Sequence, residues 1–230
     1  MIRALRFLRL TNTLLVCGMV ALTWAEAQTI AETGDAGSAV STYQTLFGTG
    51  ALTTLTGNIG LSTDVDLFRI KISNPATFSA RTDVSSGNLN DTQLFLFTLA
   101  GAGILANDDI SGKLKSLLPA GDSHLSALTA GDYLIAVSGY NFDAFDATSA
   151  LIFPSSPFTG VYAPNSGVGI LDHWSGSSST GTYTVTFTGA SFVTAIPEPA
   201  GTPLIAGLGC AAAIWIRSRF RGKSSGRNAT

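Results

Sequence analysis

Apolar and polar residues alternate along short segments in the middle of the chain. Residues 65–72 read VDLFRIKI, in which Phe68, Ile70 and Ile72 share one face. Residues 182–188 read TYTVTFT and place an apolar side chain between successive threonines. A period of two residues is typical of a β-strand with one buried face. Both segments are therefore predicted to be half-buried strands.

Two other segments are apolar on both faces. Residues 93–100 read QLFLFTLA and residues 133–140 read YLIAVSGY, so we expect central strands that are covered on two sides. Residues 51–59 and 77–83 add two more strands, and turn-forming residues separate the segments. Only one short helical turn is expected, around residues 113–118. Many short strands joined by turns predict an all-β protein built as an antiparallel β-sandwich.

The first segment of the chain has the layout of an export signal. Three arginines precede an apolar run at residues 10–24, and the small-x-small triplet AEA follows at residues 25–27. This order is typical of a secretory signal peptide. We predict a signal peptide over residues 1–27, handled by the export machinery and cut by signal peptidase before Gln28. A retained membrane anchor and a lipoprotein modified at Cys17 are the alternatives.

A second apolar segment lies near the C-terminus and ends in basic residues. Residues 203–216 carry no charged side chain, and a transmembrane helix over about residues 200–217 is long enough for a thin membrane. The basic tail at residues 217–230 predicts that the C-terminus lies in the cytoplasm. A buried helix of a globular core is the alternative.

The triplet Pro-Glu-Pro stands directly before this apolar segment. The triplet, the apolar run and the arginine cluster together resemble the PEP-CTERM sorting signal of Gram-negative bacteria that make exopolysaccharide. The resemblance covers residues 193–230 and implies recognition and cleavage by an exosortase. It implies a protein held in the cell envelope by its membrane helix and then delivered to the cell surface or the extracellular matrix. The residues that carry it are Pro197, Glu198, Pro199, Arg217, Arg219 and Arg221.

Charge and cysteine usage narrow the function of the region between the two signals. Residues 28–195 contain thirteen acidic and five basic residues, a net charge of −8. A nucleic-acid partner is excluded because phosphates require a basic face. The two cysteines, Cys17 and Cys210, both lie outside this region. Disulfides and cysteine-ligated metals are therefore excluded from it, whereas oxygen-ligated cations remain candidates.

The order of the predicted strands carries a second resemblance. Residues 57–189 resemble bacterial pre-peptidase C-terminal domains, which are jelly-roll-like sandwiches found beside secreted peptidases. The segments DTQLFLF, ANDD, SGYNFD and LIFP are more similar still to a set of PEP-CTERM proteins with no established activity. The resemblance implies a sandwich over residues 51–192, preceded at 28–50 by a linker or first edge strand. A loop-rich insertion at residues 141–180 departs from the pre-peptidase pattern.

Acidic residues at strand ends suggest a cation site. Carboxylate and amide oxygens are the ligands that calcium prefers, and strand-end loops of sandwiches can supply them. Pre-peptidase domains of some collagenases bind calcium, so the resemblance points the same way. Asx turns, which place Asp and Asn at strand ends without a metal, are the alternative. The candidate ligands are Asp64, Asp66, Asp91, Asn107, Asp108 and Asp109.

Aromatic residues of the insertion are candidates for ligand binding. Tyr162 and Trp174 could stack on sugar rings, with exopolysaccharide as the partner, or dock a protein. The alternative is that the aromatic side chains cap the open end of the sandwich core.

Catalytic motifs do not emerge from the sequence. His124 follows Ser123 but lacks the glycines and the strand-turn-helix context of a nucleophile elbow, and His173 has no second ligand at metal spacing. No catalytic residue is predicted. The expected function is a non-catalytic binding or structural module of an exported envelope protein, and a secreted hydrolase or the accessory domain of a secreted peptidase is the alternative.

Overall fold

The computed structural model describes residues 28–82 and 88–195. The chain divides into two units, Met1–Val193 and Thr194–Thr230. The predicted signal peptide, the Pro-Glu-Pro triplet, the C-terminal helix and the basic tail all lie outside the described residues. Within the described ranges, no helix has the length and apolar character required to cross a membrane.

The described residues form fourteen strands and one short α-helix. The strands are β1 (Gln28–Ala31), β2 (Gln44–Thr45), β3 (Leu52–Ile59), β4 (Asp66–Ile72), β5 (Ser79–Arg81), β6 (Thr92–Thr98), β7 (Gly103–Asn107), β8 (Leu117–Leu118), β9 (Gly131–Gly139), β10 (Phe142–Asp146), β11 (Val161–Tyr162), β12 (Leu171–Gly176), β13 (Gly181–Thr188) and β14 (Ala190–Ser191). The helix is α1 (Ser123–Ser126).

Two large sheets carry most of these strands. The first has the order β1-β3-β13-β5-β8, and the second has the order β11-β7-β6-β9-β4-β14, with β2 pairing beside β4. A pair formed by β10 and β12 makes a third, small sheet. The prediction of an all-β, sandwich-like protein is confirmed.

The two large sheets pack face to face around the main core. The alternating residues Phe68, Ile70 and Ile72 of β4 are fully buried in it, as the two-residue period predicted. From the opposite sheet, Tyr183 and Val185 of β13 point into the same core. One buried face per strand, shared between two sheets, is the arrangement that stabilises a sandwich.

A second core lies on the other face of the second sheet. Phe95 and Phe97 of β6 leave the sheet on the side opposite to the main core. The insertion covers them with the side chains of Phe142, Phe153 and Trp174. The protein therefore has three layers, and the central strands β6 and β9 are covered on two sides as predicted. Three aromatic residues of the insertion, Phe142, Phe153 and Trp174, thus cover a face of the second sheet.

Three local expectations need correction. The sheets are mixed, because β1 runs parallel to β3 and β2 runs parallel to β4. The short helix is not at residues 113–118, where β8 pairs with β5, but at Ser123–Ser126, where the Asp122 side chain accepts a hydrogen bond of 2.8 Å from the His124 amide. The predicted strand at residues 77–83 is restricted to Ser79–Arg81, after a 3-10 turn.

Candidate carboxylate sites

The structure brings the predicted acidic residues into two separate groups. Asp66 belongs to one group, with Glu32 and Asp35, which were not predicted. Three of the candidate ligands, Asp91, Asp108 and Asp109, form the other group. In each group, one carboxylate oxygen from every member lies within 4.8 Å of the others.

The first group joins the N-terminal strand to the second sheet. Glu32 directly follows β1, and Asp66 is the first residue of β4. Glu32 is fixed by two backbone amides, since Ala36 and Asn58 each donate to its carboxylate at 2.9 Å. Because β1 pairs in parallel with β3, Glu32 lies beside Asn58, near the C-terminal end of β3. The three carboxylates therefore meet through tertiary contacts.

Asp66 is the most unusual member of this group because it is fully buried. The Tyr183 hydroxyl donates to its Oδ2 at 2.7 Å, whereas its Oδ1 is buried without a hydrogen-bond partner. Burial raises the pKa of Asp66 to about 8, against the lowering effect of the Tyr183 hydrogen bond and with the help of the nearby Glu32 and Asp64 charges. A buried carboxylate of this kind requires a proton or a cation.

Gly57 makes the hydrogen bond between Tyr183 and Asp66 possible. It lies opposite Tyr183 in the pairing of β3 with β13. A Cβ atom at position 57 would lie 2.2 Å from the Tyr183 hydroxyl oxygen, so only glycine leaves the ring free to extend across the strand towards Asp66. Gly57 and Tyr183 are thus site residues that the sequence did not reveal. A glycine inside an otherwise regular strand is the signal that could have indicated a close approach.

The second group lies at one edge of the second sheet. Asp91 precedes β6 and the two other aspartates follow β7, and these strands pair antiparallel, so the start of one meets the end of the other. Asp91, Asp108 and Asp109 each have a buried Oδ1 with no hydrogen-bond partner. Burial raises the pKa of all three, in the case of Asp108 to about 8. Neighbouring carboxylates add to the effect for Asp91 and Asp108.

Two predicted ligands have other contacts. Asn107 donates to the carbonyls of Asp109 at 3.0 Å and Gly160 at 2.8 Å, and it accepts from the Leu117 amide at 2.7 Å. Asp64 precedes β4 and accepts from the Gly60 amide at 2.7 Å. Asp64 does not belong to either of the two groups of close carboxylates. The hydrogen bonds of Asn107 and Asp64 hold loops, although neither is an Asx turn, in which the side-chain oxygen accepts from the backbone amide two residues later.

The two predicted aromatic ligand residues lie in different places. Tyr162 lines a cavity of about 20 Å³ together with Asp108 and Asp143. Trp174 packs its ring on Phe95, with ring centroids 5.2 Å apart, and donates from Nε1 to the Ser38 carbonyl at 2.7 Å. Its contacts are those of a half-buried residue of the second core.

The histidines have local partners. His124 Nδ1 lies 3.1 Å from the Asp122 carboxylate, and His173 Nδ1 lies 3.0 Å from that of Asp172. The His173 ring also stacks on Phe145 at 5.6 Å. These contacts fix both rings near the surface, each against an acidic neighbour in the sequence.

Comparisons with known proteins give no family. A scan against protein-family models found no match, and a search of curated proteins found none that is similar to this chain.

Proposed function

We propose that the chain is an exported, non-catalytic envelope protein whose jelly-roll-like sandwich acts as a binding and structural module stabilised by calcium. The observation that supports this proposal is the group of Glu32, Asp35 and Asp66. Asp66 is fully buried, and its Oδ1 has no hydrogen-bond partner. Three hard oxygen ligands at one point suit calcium, which completes its shell with carbonyls and water. The likeness to pre-peptidase C-terminal domains supports the same fold and the same cation.

The role of the cation follows from the elements that carry the three carboxylates. Glu32 and Asp35 belong to the segment after β1, and Asp66 begins β4 in the other sheet. When bound, calcium supplies the positive charge that these carboxylates lack. The side chains hold it, and their own hydrogen bonds to Ala36, Gly37 and Tyr183 orient them.

Calcium should raise the thermal midpoint of the purified chain. A ligand that binds only the folded state stabilises it by about 2.7 kcal/mol at a concentration 100-fold above its Kd. For a chain of this size that corresponds to a shift of roughly 5–10 °C. Melting curves in millimolar calcium and in chelator measure it, with magnesium as the comparison ion. Identical midpoints in calcium and chelator would contradict the proposal.

Two variants sharpen this test. Asp66→Asn keeps the shape and the Tyr183 hydrogen bond but removes the charge, so the variant should melt in chelator no earlier than the wild type and lose most of the calcium response. Asp172→Asn changes an exposed carboxylate and should keep that response. A full calcium response in Asp66→Asn would assign the effect to another site, with Asp91, Asp108 and Asp109 as the first candidates.

Export and sorting are proposed from the two terminal signals. Intact mass of the protein recovered from cells and from the medium should show a chain that begins at Gln28 and ends near residues 197–199. A chain that still begins at Met1 would refute the export signal. Retention through Thr230 in the membrane fraction would refute exosortase processing and indicate a tail-anchored envelope protein.

A further inference from the structure

A small, partly open cavity lies between the end of β7 and the insertion. Its volume is about 20 Å³, enough for one water-sized group. Phe95, Ala106 and Ala144 contribute apolar walls, and the carboxylates of Asp108 and Asp143 contribute charge. A cavity of this size admits only one small group of a larger ligand.

The charge of the cavity is not balanced by the groups around it. The Oδ1 atom of Asp108 is buried without a hydrogen-bond partner. Asp143 accepts from Gln93 Nε2 at 2.9 Å. Lys115 donates its ammonium to the Leu89 carbonyl, and its charge acts on Asp91. Burial raises the pKa of both Asp108 and Asp143, so a cation or a strong donor would relieve both carboxylates.

The hydrogen bond from Gln93 holds the Asp143 carboxylate in place. Gln93 is 4% exposed, and its Oε1 accepts from the Ser138 hydroxyl at 3.1 Å and from the Phe142 amide at 3.2 Å. Its amide group can therefore donate in one direction, towards Asp143. A fixed acceptor of this kind is pre-organised for a donor that enters the cavity.

Exposed aromatic rings stand beside the cavity. Phe158 lines it, and the Tyr140 ring meets Phe158 edge to face with centroids 5.5 Å apart. Tyr140 is 40% exposed and Phe158 is 44% exposed. Such rings can stack on the face of a sugar and can attract an ammonium group through their π-electrons.

The segment that carries these rings is fastened to the sheet. The Asp109 amide donates to the Phe158 carbonyl at 2.9 Å, and the Tyr162 hydroxyl donates to the Pro157 carbonyl at 2.7 Å. Pairing of β11 with β7 adds a further link. The walls and the rim thus form one ordered surface around the two carboxylates.

We propose that this cavity binds the protonated amino group of an amino sugar in an extracellular polysaccharide. The ammonium group lies between Asp108 and Asp143, and the sugar ring packs on Phe158 and Tyr140. The proposal rests on the proposed function as an exported binding module. A metal ion suits the cavity less well, because apolar groups form much of its wall and calcium requires six to eight oxygen ligands.

Calorimetric titration of the full chain at pH 7.5, where a fraction of Asp108 is ionised because its pKa is raised to about 8, tests the proposal. The probes are a glucosamine tetrasaccharide, its N-acetylated form and a glucose tetrasaccharide, with spermine as a cation that has no ring. The glucosamine oligomer should bind at least 10-fold more tightly than the other two sugars and more tightly than spermine. Equal binding of the amino and acetylated sugars would overturn the proposal. Equal binding of spermine and the amino sugar would overturn it too, because it would indicate attraction to the net negative charge alone.

Variants locate the site. Asp143→Asn keeps the Gln93 hydrogen bond and should weaken binding of the amino sugar at least 10-fold, whereas Asp172→Asn makes the same charge change elsewhere and should leave it unchanged. Phe158→Ala should weaken binding of the amino sugar at least 5-fold and should weaken binding of spermine less, because spermine has no ring to stack on Phe158. Equal effects of Asp143→Asn and Asp172→Asn, or displacement of the sugar by calcium at one-to-one stoichiometry, would contradict the assignment. The calcium response of Asp66 is measured separately, so failure here is distinct from failure of the proposed function.

Discussion

Phe97→Ala should lower the free energy of unfolding by about 3–5 kcal/mol, the usual cost of removing a buried phenylalanine ring. Phe97 is fully buried in the second core, and its ring lies 5.5 Å from Phe153 and 6.1 Å from Trp174. The substitution removes the contact between the second sheet and the insertion at its centre. Urea unfolding of the purified chain, followed by circular dichroism, measures the change.

The matched control is Phe47→Ala. The Phe47 side chain is 54% exposed, so its removal should change stability by no more than about 0.5 kcal/mol. If Phe97→Ala were as mild as this control, the insertion would not be packed as a third layer on the sheet.

Asp146→Ala should produce the next largest loss. Asp146 ends β10 and is 3% exposed, and its carboxylate accepts four hydrogen bonds. Donors are the Gly169 amide at 2.7 Å, the Thr148 hydroxyl at 2.7 Å, the Thr148 amide at 2.8 Å and the Ala150 amide at 3.0 Å. Removal leaves part-buried donors on two segments of the insertion without their acceptor, so the thermal midpoint should fall by roughly 5–10 °C. Asp172→Ala, at an exposed carboxylate, is the control.

Asp146 should also make the stability of the fold depend on pH in the acidic range. The Gly169 amide, followed by the other donors, holds the pKa of Asp146 well below its usual range. A carboxyl whose pKa is lower in the folded state stabilises the fold above its unfolded pKa, near 3.9, and the effect is lost as the pH falls through the folded pKa. From pH 5 to pH 2 the wild type should therefore lose this stabilisation, whereas Asp146→Ala should show a shallower decline. Parallel slopes in the two proteins would show that Asp146 does not titrate in this range.

Local patterns predicted the strands well because they depend on neighbours in the sequence. Phe95 and Phe97 alternate with Leu94 and Leu96, and the two pairs go to different cores. Because both faces of β6 are apolar, the sequence predicted that both faces are buried. The group of Asp91, Asp108 and Asp109 depends on a similarly local arrangement, since pairing of two consecutive antiparallel strands brings the start of β6 beside the end of β7.

Contacts between distant segments were not predictable in this way. Glu32 reaches Asp66 only because β1 adds to the edge of the first sheet in parallel with β3, and a four-residue strand has too little pattern to show its partner. The register that sets Tyr183 over Gly57 depends on the same long-range pairing. The insertion was expected to be loop-rich, although β10 and β12 form a sheet within it, because β10 is short and the polar Asp146 occupies one of its alternating buried positions.

The first group of carboxylates lies where the two large sheets meet and could connect them. Glu32 leaves the edge of one sheet and Asp66 starts a strand of the other, and the described region has no cysteine that could tie the two sheets together. Without a cation, the raised pKa of Asp66 leaves this buried carboxyl protonated near neutral pH, and no ion joins the three side chains. The divalent cation proposed for this site would act as a removable cross-link. Its strength then follows the ionic composition of the surroundings, whereas a disulfide would follow their redox state.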